Sequence, residues 1–238
     1  MARCRGHFTS PYDTSLFVGR IHPDKNRRDV WATRVISCAD RGEAKVGHSI
    51  SWLMVNGKDR QSLLSELALE AAGKSGEFFD FKVSGHALPD GAYLLVMQKC
   101  DHPFVSDEHL AQLSAGSTTL GCSIEEHVMY AHATCWDNGE NLWSVKHQGD
   151  TAEGRNDLTV SGTPPESFKA IRDKYAARQP GDPDVDWYFE IPLALAKQLA
   201  GFKHDETNPG LDGSFEEFRD RKGKSVTGRQ RWKFWASE

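Results

Sequence analysis

The sequence predicts an α+β fold with a mostly antiparallel sheet, and three observations carry that prediction. Asn138-Gly139 separates two alternating apolar runs. It is a strong hairpin signal, because both residues tolerate the positive φ of a type I′ turn. Ala92-Tyr93-Leu94-Leu95-Val96-Met97 is apolar throughout, as suits a central strand. Helical patterns lie among the strand candidates without the strict alternation of a doubly wound parallel sheet. The expected organisation is one domain over residues 46–205, with three to four helices packed on a sheet around a central hairpin at about residues 118–147. A loosely held arm, residues 1–45, precedes it, and a basic, aromatic tail, residues 206–238, follows it.

Residues 1–45 lack sustained periodicity, since Gly6, Pro11, Gly19, Pro23 and a charged cluster at 24–29 interrupt every pattern. Residues 48–55 alternate Ile50, Trp52 and Met54 with Ser49, Ser51 and Leu53, a strand covered in part on both faces. Asn56-Gly57 turns the chain, and Asp59 can cap a helix to about Ala72. Leu63, Leu64, Leu67 and Ala71 form its inward stripe, and Gly73 can end it. A strand is expected at 78–83 and the central strand at 92–97. Ser106 caps a short helix with Leu110 and Leu113 inward.

The hairpin follows. With Asn138-Gly139 as its loop, Asp137 faces Glu140, Thr134 faces Trp143, His132 faces Val145 and Tyr130 faces His147. One side then carries Ile124, Val128, Tyr130, Thr134, Trp136, Trp143 and Val145, interrupted by Glu126 and His132. A short strand is expected at 158–160. Thr163-Pro164-Pro165-Glu166 has the composition of a capping box and helix start, with Phe168, Ile171 and Tyr175 on the core face. A strand at 187–191 and a helix from Pro192 to Gly201, with Leu193, Ala196 and Leu199 inward, complete the domain.

The net charge of −5 is unevenly spread. Residues 46–214 carry 13 Lys+Arg and 25 Asp+Glu, net −12, while 1–45 contribute +4 and 215–238 contribute +3. An acidic body with basic ends suits a basic partner, its own tails, or plain solubility. Five cysteines, odd in number and without CxxC spacing, read as reduced thiols of a cytosolic protein. Residues 1–13 lack the apolar core of a secretory signal. No apolar run approaches the roughly 20 residues of a membrane span.

Cys122, Glu126, His132 and His147 are the candidate catalytic set, assembled if the hairpin face lines a cleft. Glu126 would orient or charge His132 for general acid–base work, and Cys122 would be the nucleophile. Glu126 and His132 stand six residues apart, however, about 20 Å along an extended strand. His132 and His147 are the expected neighbours. Cys122, His127, His132 and Cys135 have metal-capable atoms, but strand parity divides them between two faces, so no metal site is expected. Asp182, Asp184 and Asp186 alternate like the start of a calcium loop. Trp187 and Leu193 stand where its Gly and Glu belong, so this is an acidic loop.

Arg229, Arg231, Trp232, Lys233 and Trp235 mix cations with aromatics, a composition able to neutralise phosphates and stack on unpaired bases. The sequence contains no P-loop, GxSxG elbow, HExxH or dinucleotide fingerprint, and it implies no cofactor. The preferred reading is a non-enzymatic, cytosolic inhibitor or immunity-type domain that binds another protein through Trp136, Trp143, Asp182, Asp184 and Asp186. A small hydrolase or transferase using the hairpin face, and a nucleic-acid binder using the tail, are the alternatives.

Overall fold

The computed structural model describes residues 47–151, 154–182, 184–211 and 213–221. Residues 1–46 and the tail positions Arg229, Arg231, Trp232, Lys233 and Trp235 lie outside them. Among the described residues, nine strands form one sheet: β1 (Ser49–Asn56), β2 (Leu69–Gly76), β3 (Val83–Ala87), β4 (Tyr93–Met97), β5 (Thr118–Glu125), β6 (Tyr130–Asp137), β7 (Glu140–Gln148), β8 (Thr159–Gly162) and β9 (Phe215–Asp220). Their spatial order is β2-β9-β3-β4-β1-β5-β6-β7-β8, and every neighbouring pair is antiparallel. The helices are α1 (Arg60–Glu66), α2 (Asp107–Leu113), α3 (Ser167–Ala176) and α4 (Glu190–Ala200). The fold class is therefore α+β with an antiparallel sheet, as the sequence indicates.

Each face of the sheet is apolar and carries its own core. On one, Ile50, Trp52, Leu120, Cys122, Ile124, Ala131, Ala133, Trp143 and Val145 pack against Ile191, Leu195, Ala196 and Phe202 in and after α4. On the other, Leu53, Val55, Tyr93, Leu95 and Met97 meet Leu63 and Leu64 of α1 and Leu113 of α2. Alternation along β1 and β4 sends successive side chains into different cores, which is why those strands are apolar throughout. No helix among the described residues is long and apolar enough to cross a membrane.

The Asn138-Gly139 turn forms as expected, with φ of 49° and 85°. Residues 118–147 are nevertheless three strands of a meander, and the register slips by one residue. Asp137 faces Glu140 and Trp136 faces Asn141, but Cys135, not Thr134, faces Trp143. Leu142 is the extra residue, a β-bulge. Beyond it Ala133 faces Val145 and Ala131 faces His147, while His132 faces Lys146. Because the side-chain period is two, this single insertion moves Tyr130, His132 and Thr134 to the face opposite Trp143 and Val145.

Other departures share a cause: pairing with distant chain outweighs local propensity. The helix capped by Asp59 stops at Glu66, and Ala68 turns at φ 53°. Leu69 to Ala71 then pair with Asp220 to Phe218 of β9, so Ala71 is in a strand. The expected domain end at 205 is too early, because Phe215-Glu216-Glu217-Phe218 fills the place between β2 and β3. Phe78–Asp80 is a 3-10 turn, with Glu77 and Asp80 as a reciprocal capping box, rather than a strand. Thr163 does not cap α3, which starts at Ser167 with Glu166 at its N-cap; the Thr163 N–H instead bonds Leu142 O at 2.9 Å as a continuation of the sheet. The expected strand at 187–191 is the approach to α4, which buries Leu195 and leaves Leu199 39% exposed.

Candidate functional site

One end of the sheet gathers three carboxylate–imidazole pairs. Ser49, Glu125, Tyr130 and Gln148 are successive register partners across β1, β5, β6 and β7, so the ends of four strands align there. Between β5 and β6 the chain makes a 3-10 turn, Glu126–Val128, closed by Met129 in the left-handed region at φ 49°. That turn lifts Glu126 off the strand. Its Oε1 meets His204 Nε2 at 2.9 Å, and its Oε2 accepts the His48 backbone N–H at 2.7 Å. A single carboxylate thus joins the start of β1, the β5–β6 turn and the loop after α4.

His204 is buried, and its ring lies edge-on to His48 with centroids 5.2 Å apart. Its Nδ1 makes no hydrogen bond, with Asp205 Oδ1 3.8 Å away. Burial pushes the Glu126 carboxyl up, but the hydrogen bonds from His204 and the His48 N–H outweigh it and hold the group below its usual value. In the second pair, Glu125 Oε1 contacts Nδ1 of the exposed His127 at 2.6 Å. Burial again pushes Glu125 up, and hydrogen bonds from Ser49 and His127 bring it below its usual value.

The third pair is His147 with Asp186, wholly inside the protein. His147 is 0% exposed, and its Nε2 lies 3.0 Å from Asp186 Oδ2. Its Nδ1 lies 2.6 Å from Asp157 O. A carbonyl can only accept, so Nδ1 is the donor there. Asp186 Oδ1 in turn accepts the Phe189 N–H at 3.3 Å just before α4. Gly149 closes over the pair, since a Cβ there would stand 2.9 Å from Met129 Cβ and 3.1 Å from Asp186 Oδ2. The Gly149 N–H also bonds Met129 O, so the turn that carries the second pair is tied to the loop that covers the third.

The four candidate catalytic residues do not converge. Glu126 and His147 belong to this end of the sheet, but each is paired with a residue remote in sequence. Cys122 is buried on the α4 side, where loss of solvent pushes its thiol far up and disfavours the thiolate. His132 is on the other face, with Nε2 2.7 Å from Ser144 Oγ, and burial pushes it down. The bulge at Leu142 is what separates His132 from His147. Among the described residues, no three His, Cys, Asp or Glu side chains gather as a metal would need.

The expected partner-binding residues also divide. Trp143 is 3% exposed and Asp186 7%, both interior. Trp143 goes inward because the bulge puts it opposite Cys135, in the row with Val145. Trp136 and Asp182 are half-buried, and Asp184 is exposed. Sequence reasoning missed His48, His204 and the buried Lys203. The run Lys203-His204-Asp205-Glu206 after the helix-ending Gly201 is dense in ionisable groups, and that density was the available signal.

Chemically, this end of the sheet is a set of hydrogen-bonded clamps. Two of its imidazoles are buried, and its carboxylates are occupied by partners within the fold. Compared with family models, with curated proteins and with solved structures, the chain matches none.

Proposed function

We propose that the chain is a cytosolic, non-enzymatic protein-binding domain of inhibitor or immunity type that receives its partner along β8. The observation that supports this reading is the state of that strand. β8 ends the nine-stranded sheet, all four of its residues are exposed, and Thr159-Val160-Ser161-Gly162 includes neither a charge nor a proline. Natural edge strands are commonly blunted by such residues, and one without them is suited to accept an added strand. Two apolar side chains extend the surface, Val160 at 41% and Leu142 at 43% exposure. α3, which follows β8, has no buried residue, and its Phe168 and Ile171 are only half covered.

The acidic balance of residues 46–214 favours a basic partner, and Asp182 and Asp184 are positioned to contribute to that attraction. The free thiols of Cys100, Cys122 and Cys135 suit a reducing compartment. The test is native mass spectrometry on protein gently purified from its own host, beside a Val160→Lys variant. The expected result is a macromolecular partner held by the wild type and lost from the variant. Melting of the variant should be nearly unchanged, because the site is exposed and costs within about 0.5 kcal/mol. A partner held equally by both, or a retained small molecule with no partner, overturns the reading.

A further inference from the structure

The molecule has a second surface, separate from β8, whose chemistry points to a small ligand. A cleft of about 460 Å³ lies between α3 and α4, in the size range of ligand sites. Ile171, Ala194 and Tyr175 give it apolar walls, and Lys174, Lys197 and Lys203 give it cations. Lys203 is 6% exposed, and its Nζ lies 3.0 Å from both Glu190 Oε2 and Asp205 Oδ2. Burial alone would push this ammonium down. Glu190 and Asp205 more than reverse that and hold it above the usual lysine value.

Glu206 completes the cleft in a way that resembles a bound ligand. One carboxylate oxygen contacts Lys197, and the other stands 3.6 Å from Lys203 Nζ. Its side chain is 43% exposed, so leaving the cleft requires no unpacking of the core. Lys203 does not need Glu206, because Glu190 and Asp205 already match it. Lys174 lies over the Tyr175 ring, 5.0 Å from its centroid, and has no ion-pair partner among the described residues.

We propose that this cleft binds a small, singly charged organic carboxylate with an apolar tail, and that Glu206 holds the ligand carboxylate's place in this structure. The charge of the ligand follows from that of Glu206. Glu206 brings one negative charge to Lys197 and Lys203, so setting it aside leaves one positive charge there to be matched. One carboxylate matches that charge, whereas a dianionic phosphate exceeds it. Ile171, Ala194 and the Tyr175 ring supply the apolar contact for the tail. The exchange of Glu206 for the ligand forms no covalent bond and leaves no buried charge bare, so both states are accessible.

The test is a heteronuclear NMR titration of the full chain with hexanoate, with hexan-1-ol and inorganic phosphate as controls. Hexanoate should shift the amides of α3, α4 and the 203–206 loop saturably, with weak affinity in the wild type. Glu206→Gln removes the competing charge and should tighten hexanoate about tenfold, the equivalent of roughly 1.4 kcal/mol. Lys197→Ala and Lys174→Ala, both at exposed ammonium groups, should weaken it while leaving the remaining spectrum in place. Hexan-1-ol should not saturate. No saturable shift with hexanoate up to about 20 mM in Glu206→Gln, a range that covers even weak small-ligand affinities, overturns the proposal. So does tighter binding of phosphate than of hexanoate, or an affinity indifferent to Glu206 and Lys197.

Discussion

Asp186→Ala tests the most deeply buried carboxylate–imidazole pair among the described residues. The substitution removes two interactions, the acceptor facing His147 Nε2 at 3.0 Å and the acceptor for the Phe189 N–H at 3.3 Å. His147 is 0% exposed, so bulk solvent does not reach the ring in the native fold. Breaking a buried pair by removing one partner costs about 3–5 kcal/mol, because the other is left uncompensated. For a domain of this size each kcal/mol lowers Tm by about 2–4 °C, which gives a fall of about 6–20 °C. Urea unfolding followed by circular dichroism measures the free energy, and a melt measures the temperature.

The loss should belong to the pair rather than to either residue. His147→Leu in the Asp186→Ala background should therefore recover part of the stability, with a coupling energy of about 1–3 kcal/mol in the double-mutant cycle. Asp186→Asn, which keeps an oxygen for the Phe189 N–H, should cost less than the alanine. A loss within about 0.5 kcal/mol for Asp186→Ala, the level of an ordinary surface substitution, would refute the reasoning, as would a coupling energy of zero.

Deleting Leu142, the extra residue, should remove the bulge and still leave Cys135 opposite Trp143, Ala133 opposite Val145 and Ala131 opposite His147, so the variant should keep a cooperative melt and lose only about 1 kcal/mol with the Thr163 N–H bond to Leu142 O; loss of cooperative folding would contradict the bulge. Glu126 is held below its ordinary 4.5, so its stabilisation is present above that value and is lost as pH falls beneath it. Glu126→Gln should therefore be less stable at neutral pH by about 1–3 kcal/mol, the scale of charge-assisted hydrogen bonds, and should show a flatter acid limb in pH-dependent unfolding. Burial raises the Cys135 thiol from 9.0 to about 11 and pushes Cys122 up as well. The folded state then keeps protons that the unfolded state releases, so this stabilisation is complete below about pH 9 and declines as pH rises through the folded value. Urea unfolding between about pH 8 and pH 10.5 should lose up to about 1.4 kcal/mol per pH unit per buried thiol above the ordinary value. Cys135→Ala should reduce that slope, and an unchanged slope would sink the assignment.

Features written into a few adjacent residues are legible along the chain itself. Asn138-Gly139 specifies its turn because both residues accept positive φ, and Ser106 specifies the start of α2 because its hydroxyl accepts the His109 N–H. The all-apolar β4 announces a strand covered on both faces. Together these indicate the α+β class and the antiparallel strands within residues 118–147, but not their place in the sheet, which is towards the β8 edge rather than central. They do not indicate register, since the bulge at Leu142 depends on where Trp143 and Val145 must lie relative to α4. Nor do they indicate β9, whose Phe-Glu-Glu-Phe pattern becomes a strand only between β2 and β3.

For the clamps at the sheet end, the sequence singles out Glu126 and His147 as polar residues within an apolar stretch, but not their partners. His204 stands 78 residues from Glu126, and Asp186 stands 39 from His147. Hydrogen-bond preferences of a turn or a cap act over three or four residues and can be read along the chain. The pairing of a carboxylate with a distant imidazole is decided by which loops the packed sheet brings together, and only the tertiary structure decides that.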